Sequence, residues 1–183
     1  MMAAGDGLVS MTPTSIAYSG TSAGINADGG VDFSAVTSLS LNGVFTSAYD
    51  NYLIVTRFTN TAAGNHNQFR LRASGSDNST ANSYVYQRLE ATSTNVAGSR
   101  TTSNLTFLSR ESATDPSGIL THIYGPYLAQ PTALRTVDAS ARLGGYITDI
   151  ACTHNQSTAY DGFTVFPDSG SITGTVHVFG YEE

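Results

Sequence analysis

Lysine is absent from the chain. Every basic residue is arginine, and the acidic residues outnumber them to a formal net charge of −6. Nucleic-acid affinity comes mostly from cationic contacts to phosphate, and a polybasic membrane contact needs clustered cations, so this balance argues against both partners. Charged residues are 12% of the chain, about half the usual share, so solubility rests on Ser, Thr and Asn. Tryptophan is also missing. Cys152 is the single cysteine, which excludes an intrachain disulfide; in its apolar run it reads as a small core hydrophobe. No apolar run approaches the roughly 20 residues of a membrane-spanning helix. The first thirteen residues lack the basic start and apolar core of a secretory signal. The expectation is synthesis in a cytoplasm, with any route outside by assembly or lysis.

What is present is a succession of short strands. Hydrophobic residues reach 40%, which excludes a disordered chain, and no heptad or solenoid period occurs. At the C-terminus, residues 162–166 form a β-branched and aromatic run. Residues 167–170 are turn formers, and residues 171–181 are a second strand in which Gly174 and Gly180 make room for bulky neighbours or mark bulges. A lone hairpin is marginal in water, so the rest of the chain should supply its sheet. Residues 1–13 read as an extended arm. Residues 15–19 and 22–27 read as two strands parted by Gly20, followed by a hairpin turn at Asp28, Gly29 and Gly30. Residues 31–35 and 37–41 are strands, and 44–49 make one helical turn. Residues 52–58 carry apolar side chains on both faces, as a central strand does. Residues 68–73 put Phe69 and Leu71 inward, with Arg70 and Arg72 outward. Further strands fall at 84–91, 105–108, 119–125, 134–143 and 146–152. Residues 60–67, 74–83, 93–103 and 154–160 read as polar loops. The pattern predicts an all-β protein: an antiparallel, jelly-roll-like β-sandwich of about a dozen short strands, one domain over residues 14–183.

Catalytic patterns are few. Residues 20–24 match Gly-x-Ser-x-Gly, but that elbow needs a helix after it, and strands lie on both sides here. The four histidines have no zinc spacing; His122 and His177 sit in strands, while His66 and His154 fall in loops where they could meet a ligand. Asp77 and Asn78 could offer oxygens to a cation, although calcium usually takes several carboxylates. Asp149 and Asp161 are the one candidate acid pair for glycan cleavage. Tyr84, Tyr86 and Arg88 share one strand face. They read first as a core or subunit interface, with a sugar or protein contact as the lesser alternative. The candidate contact residues are therefore His66, Asp77, Asn78, Tyr84, Tyr86 and Arg88, with no catalytic residue, metal or cofactor expected.

Three stretches carry a resemblance: residues 38–52 (SLSLNGVFTSAYDNY), 125–131 (GPYLAQP) and 161–181 (DGFTVFPDSGSITGTVHVFGY). Together they resemble a family of structural proteins of tailed bacteriophages, minor tail or tail-fibre proteins. The residues that carry the likeness are Asn42, Gly43, Tyr49, Asp50 and Tyr52 in the first stretch. In the last they are Asp161, Gly162, Phe163, Pro167, Gly170, Gly174, Gly180 and Tyr181. The resemblance implies a β-sandwich virion protein without enzymatic activity, a homotrimer; the N-terminal arm before Pro13 lies outside the matched stretches and is expected to anchor the domain to other virion proteins. Host-surface contact, with a glycan or a protein, would come from loops 60–67, 74–83 and 93–103. The alternatives are a head decoration (cement) protein that clamps the capsid with its arm, and a virion glycan-degrading enzyme.

Overall fold

Alternating apolar and polar residues, interrupted by turn formers, make strand the one economical conformation for this chain. The computed structural model describes residues 7–62, 66–110, 115–141 and 145–181, and contains no helix among them. The strands are β1 (Val9–Ser10), β2 (Ser15–Ile25), β3 (Val31–Asn42), β4 (Asn51–Asn60), β5 (His66–Ala73), β6 (Ser76–Asp77) and β7 (Tyr84–Thr92). They continue as β8 (Asn95–Ser103), β9 (Thr106–Arg110), β10 (Ser117–Tyr124), β11 (Thr132–Ser140), β12 (Tyr146–His154), β13 (Gly162–Pro167) and β14 (Ile172–Tyr181).

All form one antiparallel sheet in the order β6-β5-β13-β3-β14-β4-β10-β11-β12-β7-β8, with β1 on β14, β2 on β3 and β9 on β5. The sheet folds over at β3. The first half of that strand pairs with β14 and the second half with β13. One layer is thus β2, β3, β13 and β5; the other runs from β14 to β8. Strand β9 pairs with β5 and packs on β11 and β12 of the opposite layer, closing one side. The result is an all-β, sandwich-like fold, as expected.

The core is the space between the layers. Tyr52, Ile54 and Phe58 point inward from β4, which lies between β14 and β10 as a central strand should. An aromatic file crosses the interior: Phe69 stacks on Phe163 at 5.3 Å, Phe163 meets Phe45 at 5.9 Å, and Phe45 meets Tyr52 at 4.8 Å. Such pairs add about 1 kcal/mol each beyond their buried area. Two glycines of β14 permit this packing. A Cβ on Gly180 would strike the ring of Tyr49, and one on Gly174 would strike the Arg57 carbonyl of β4.

Several expectations need correction. Residues 15–25 are one strand, as are 31–42. Bulges at Gly20 (φ 127°) and Ala35 (φ 48°) let each continue where the pattern slips by one residue. Residues 44–49 make no helical turn, because their polar main-chain atoms bond elsewhere: Phe45 N donates to the Asp161 carbonyl, and Thr46 exchanges bonds with the Tyr52 hydroxyl. Residues 93–103 are not a loop; β8 pairs with β7 along its whole length, starting from a turn at Ser93 and Thr94. It is an edge strand exposed on both faces, so its sequence shows no hydrophobic alternation. The N-terminal arm is not free either. Strand β3 covers β14 as far as Val176, and β1 takes the edge beyond, pairing with Phe179 and Gly180. Met11 N adds a bond to the Val178 carbonyl at 2.8 Å. The arm's residues 1–6 lie outside the described residues.

Candidate functional site

Two of the expected contact residues, 22 positions apart, meet at the rim between the layers. His66 opens β5 and Arg88 lies mid-way along β7; Arg88 Nη1 is 3.4 Å from His66 Nε2. On the other side of the ring, His66 Nδ1 is 3.2 Å from Asp168 Oδ2. Arginine only donates, so in this arrangement Nε2 accepts and Nδ1 donates to the carboxylate. The turn before β14 holds Asp168 in place: its N–H bonds the His66 carbonyl, and its Oδ1 accepts from His66 N. Phe107 of β9 stacks under the imidazole at 4.5 Å and meets Tyr86 edge-on at 5.5 Å. Arg88 is also paired with Glu90 at 3.6 Å. The His66, Asp168 and Arg88 side chains are about one quarter to one third exposed, at 26%, 35% and 23%. They are reachable by a partner yet held on a rigid scaffold. Beside Arg88, a shallow depression of about 450 Å³ lies between Gln87, Leu89, Gly98 and Arg100.

This rim presents a cation, a carboxylate and an imidazole around an aromatic support. That chemistry suits hydroxyls and planar polar groups at a surface. It is not arranged as a nucleophile–base pair. Arg88 occupies the ring nitrogen that would have to accept a hydroxyl proton, and no Ser or Thr is hydrogen-bonded to it among the described residues.

The other expected contact residues are structural. Tyr84 and Tyr86 do share a face with Arg88, but they are buried, since that face of β7 looks into the core. Burial pushes both phenols up, Tyr84 the further. The Tyr84 hydroxyl accepts from Leu71 N and donates to the Asn78 carbonyl. Asn78 in turn donates to the Tyr160 hydroxyl at 2.8 Å. Asp77 is not open to a cation: it accepts from Arg72 and, at 2.6 Å, from Thr164. Arg72 points away from the core as expected, yet is 9% exposed, because β6 folds over it. Its guanidinium also donates to Ser40, Thr164, Asn42 and the Gly75 carbonyl. Residues 74–83 are therefore a lock over β5 rather than a dispensable loop.

His66 and His154 both belong to strands. His154 closes β12 and is fully buried, its ring tilted against Tyr84 at 4.2 Å. The expected acid pair is not formed: Asp149 is forked by Arg135 at 2.7 and 3.2 Å, whereas Asp161 accepts from Ser74 N. The Arg135 bonds hold the Asp149 carboxyl below its usual range. Gly20 to Gly24 lie inside β2, with Ser22 opposite Ser34, so the Gly-x-Ser-x-Gly match is a strand. No group of three or more His, Cys, Asp or Glu side chains converges to hold a metal among the described residues. Sequence reading missed Asp168 as a site residue. Its place in a Pro-Asp-Ser-Gly turn explained it fully as a turn former, and nothing local links it to His66.

No protein-family model matches the chain, and no curated protein matches it. Among solved structures, a glycosyl hydrolase family protein from Mycobacterium fortuitum is similar at 12% identity, over 82% of this chain and 74% of that one, with a TM-score of 0.26. At that score the likeness assigns neither fold nor reaction.

Proposed function

We propose that this chain is a non-enzymatic structural protein of a bacteriophage virion surface, a tail or tail-fibre component that contributes to host-surface contact. The observation that carries the reading is the convergence of His66, Arg88 and Asp168 on the sandwich rim, one quarter to one third exposed beside Phe107. His66 and Arg88 are two of the expected contact residues, and Asp168 joins them at the rim. The Arg72–Asp77 and Arg135–Asp149 pairs tie neighbouring strands together, as a passive surface element requires. The use of residues 9–11 as part of the sheet favours the tail-surface reading over a cement protein that clamps capsid subunits with a free arm.

The test is a His66→Ala, Arg88→Ala double substitution carried on the particle. The variant should still be incorporated into virions, and host adsorption should fall. Unchanged adsorption with normal incorporation would overturn the host-contact role. Localisation of the labelled protein to heads alone would overturn the tail assignment.

A further inference from the structure

A depression of about 350 Å³ opens where the chain leaves β10 and crosses to β11. Asp50, Asn51, Tyr124, Leu128, Gln130 and Pro131 line it. None of them belongs to the rim or to the loops expected to meet a host. Arg88 of the rim stands on the inner face of β7, across β10, β11 and β12 from β4. The turn that shapes the depression is tightly tied. Gly125 N donates to the Asp50 carbonyl at 2.7 Å, and Gln130 N to the Leu128 carbonyl at 2.8 Å. Gly125 has φ 65°, and a Cβ there would come within 2.7 Å of Gln130 Nε2, so the glycine lets that amide lie across the turn. In the pairing register Asn51 stands between Tyr124 of β10 and Tyr181 of β14. Tyr124 stacks on His122 at 6.4 Å, and His122 Nδ1 is 3.3 Å from the Tyr181 hydroxyl, which steadies this aromatic wall.

Asn51 carries the argument. It is only 7% exposed, yet its side-chain amide makes no hydrogen bond among the described residues. So buried an amide is costly to leave unpaired, and its place in the lining means that a partner would enter through the depression. The Asp50 carboxylate and the Gln130 amide also have no side-chain hydrogen bond among the described residues. We infer that the depression binds a neutral saccharide residue. Each amide offers one donor and one acceptor, and the carboxylate accepts only, which together match adjacent hydroxyls. Tyr124 and Leu128, 39% and 41% exposed, supply the apolar support for a pyranose face. No cation lines the depression, so an anionic ligand would meet the Asp50 charge uncompensated. An ammonium ion could use Asp50 but would waste the donors of both amides. The volume lies within the usual range of small-ligand sites. The inference goes beyond the virion reading and does not depend on it, since it concerns the isolated chain.

The experiment is saturation-transfer NMR on the full chain with the methyl glycosides of glucose, galactose, mannose and N-acetylglucosamine as probes. At least one should bind saturably with a Kd on the order of 1 mM. Tyr124→Ala should abolish binding, and Asp50→Asn should weaken it about tenfold. Thermal unfolding checks that the Tyr124 variant is folded; if it is not, Gln130→Ala, exposed in the turn, serves in its place. No saturable binding of any glycoside up to about 50 mM would overturn the inference. So would binding that survives these variants, or binding of tetramethylammonium alone, which would assign the depression to amines. The His66→Ala, Arg88→Ala variant should bind the glycoside as the wild type does; loss of binding there would place the sugar at the rim and overturn the assignment. Failure of the inference would leave the adsorption test of the rim residues standing.

Discussion

His154 and Tyr160, six residues apart, meet inside the protein: the imidazole Nε2 lies 2.5 Å from the phenolic oxygen, and both side chains are buried. Asn78 donates to the same oxygen and the Thr158 side chain bonds it as well, while the imidazole, kept neutral by burial, turns Nδ1 the other way. That nitrogen lies beside the Ser83 main chain without a well-formed bond.

Stability should therefore depend on His154. Burial pushes its pKa from 6.5 down to about 4. Between those values the unfolded chain takes up a proton that the folded chain refuses, so stability is full above pH 6.5, falls as pH drops toward 4, and loses nothing further from this group below that. The whole loss is about 3 kcal/mol. Urea midpoints measured across pH 4 to 7 should slope more steeply for the wild type than for His154→Asn. Parallel curves would contradict the assignment.

Arg72 should be hard to replace. It holds β6 and Asp77 over the strand pair β5–β13 through a fork that lysine cannot reproduce. Arg72→Met leaves the part-buried Asp77 carboxylate without its cation and should cost about 2–3 kcal/mol in chemical denaturation. Arg72→Lys should recover less than half of that.

Gly174→Ala should destabilise by about 2 kcal/mol or more, since the new methyl meets the backbone of Arg57, which cannot swing aside as a flexible side chain can. Gly24→Ala, with open space around the position, serves as the control and should cost far less. Equal midpoints for the two variants would mean that β14 and β4 do not approach as described.

Cys152 should be inert in the folded protein. It is buried, and burial pushes its thiol up to about 12, so almost no thiolate exists at neutral pH. A disulfide reagent should label it only after denaturant is added, with a rate that follows global unfolding. Fast labelling of the native protein would show that β12 opens locally.

Much of the fold was legible in the residues themselves. Side chains alternate along a strand, so β4 announced itself as central by being apolar on both sides, and Asp28-Gly29-Gly30 marked its turn because few residues tolerate a left-handed backbone. Strand β8 was not legible: an edge strand wetted on both faces has the composition of a loop, and its partner β7 is what makes it a strand. The bulges at Gly20 and Ala35 were misread as strand ends for a related reason, since a slip in alternation looks the same whether the chain stops or continues.

The sequence by itself determined that the chain is built of strands and which residues of each strand share a side, because both follow from local backbone geometry. The tertiary structure alone decided what each side faces. It hid Tyr84 and Tyr86, closed Asp77 under Arg72, brought His66, Arg88 and Asp168 to one rim, and left Leu89 and Ile147 in water. Those outcomes depend on pairings between residues far apart in the chain, and no short-range pattern encodes where a distant strand will lie.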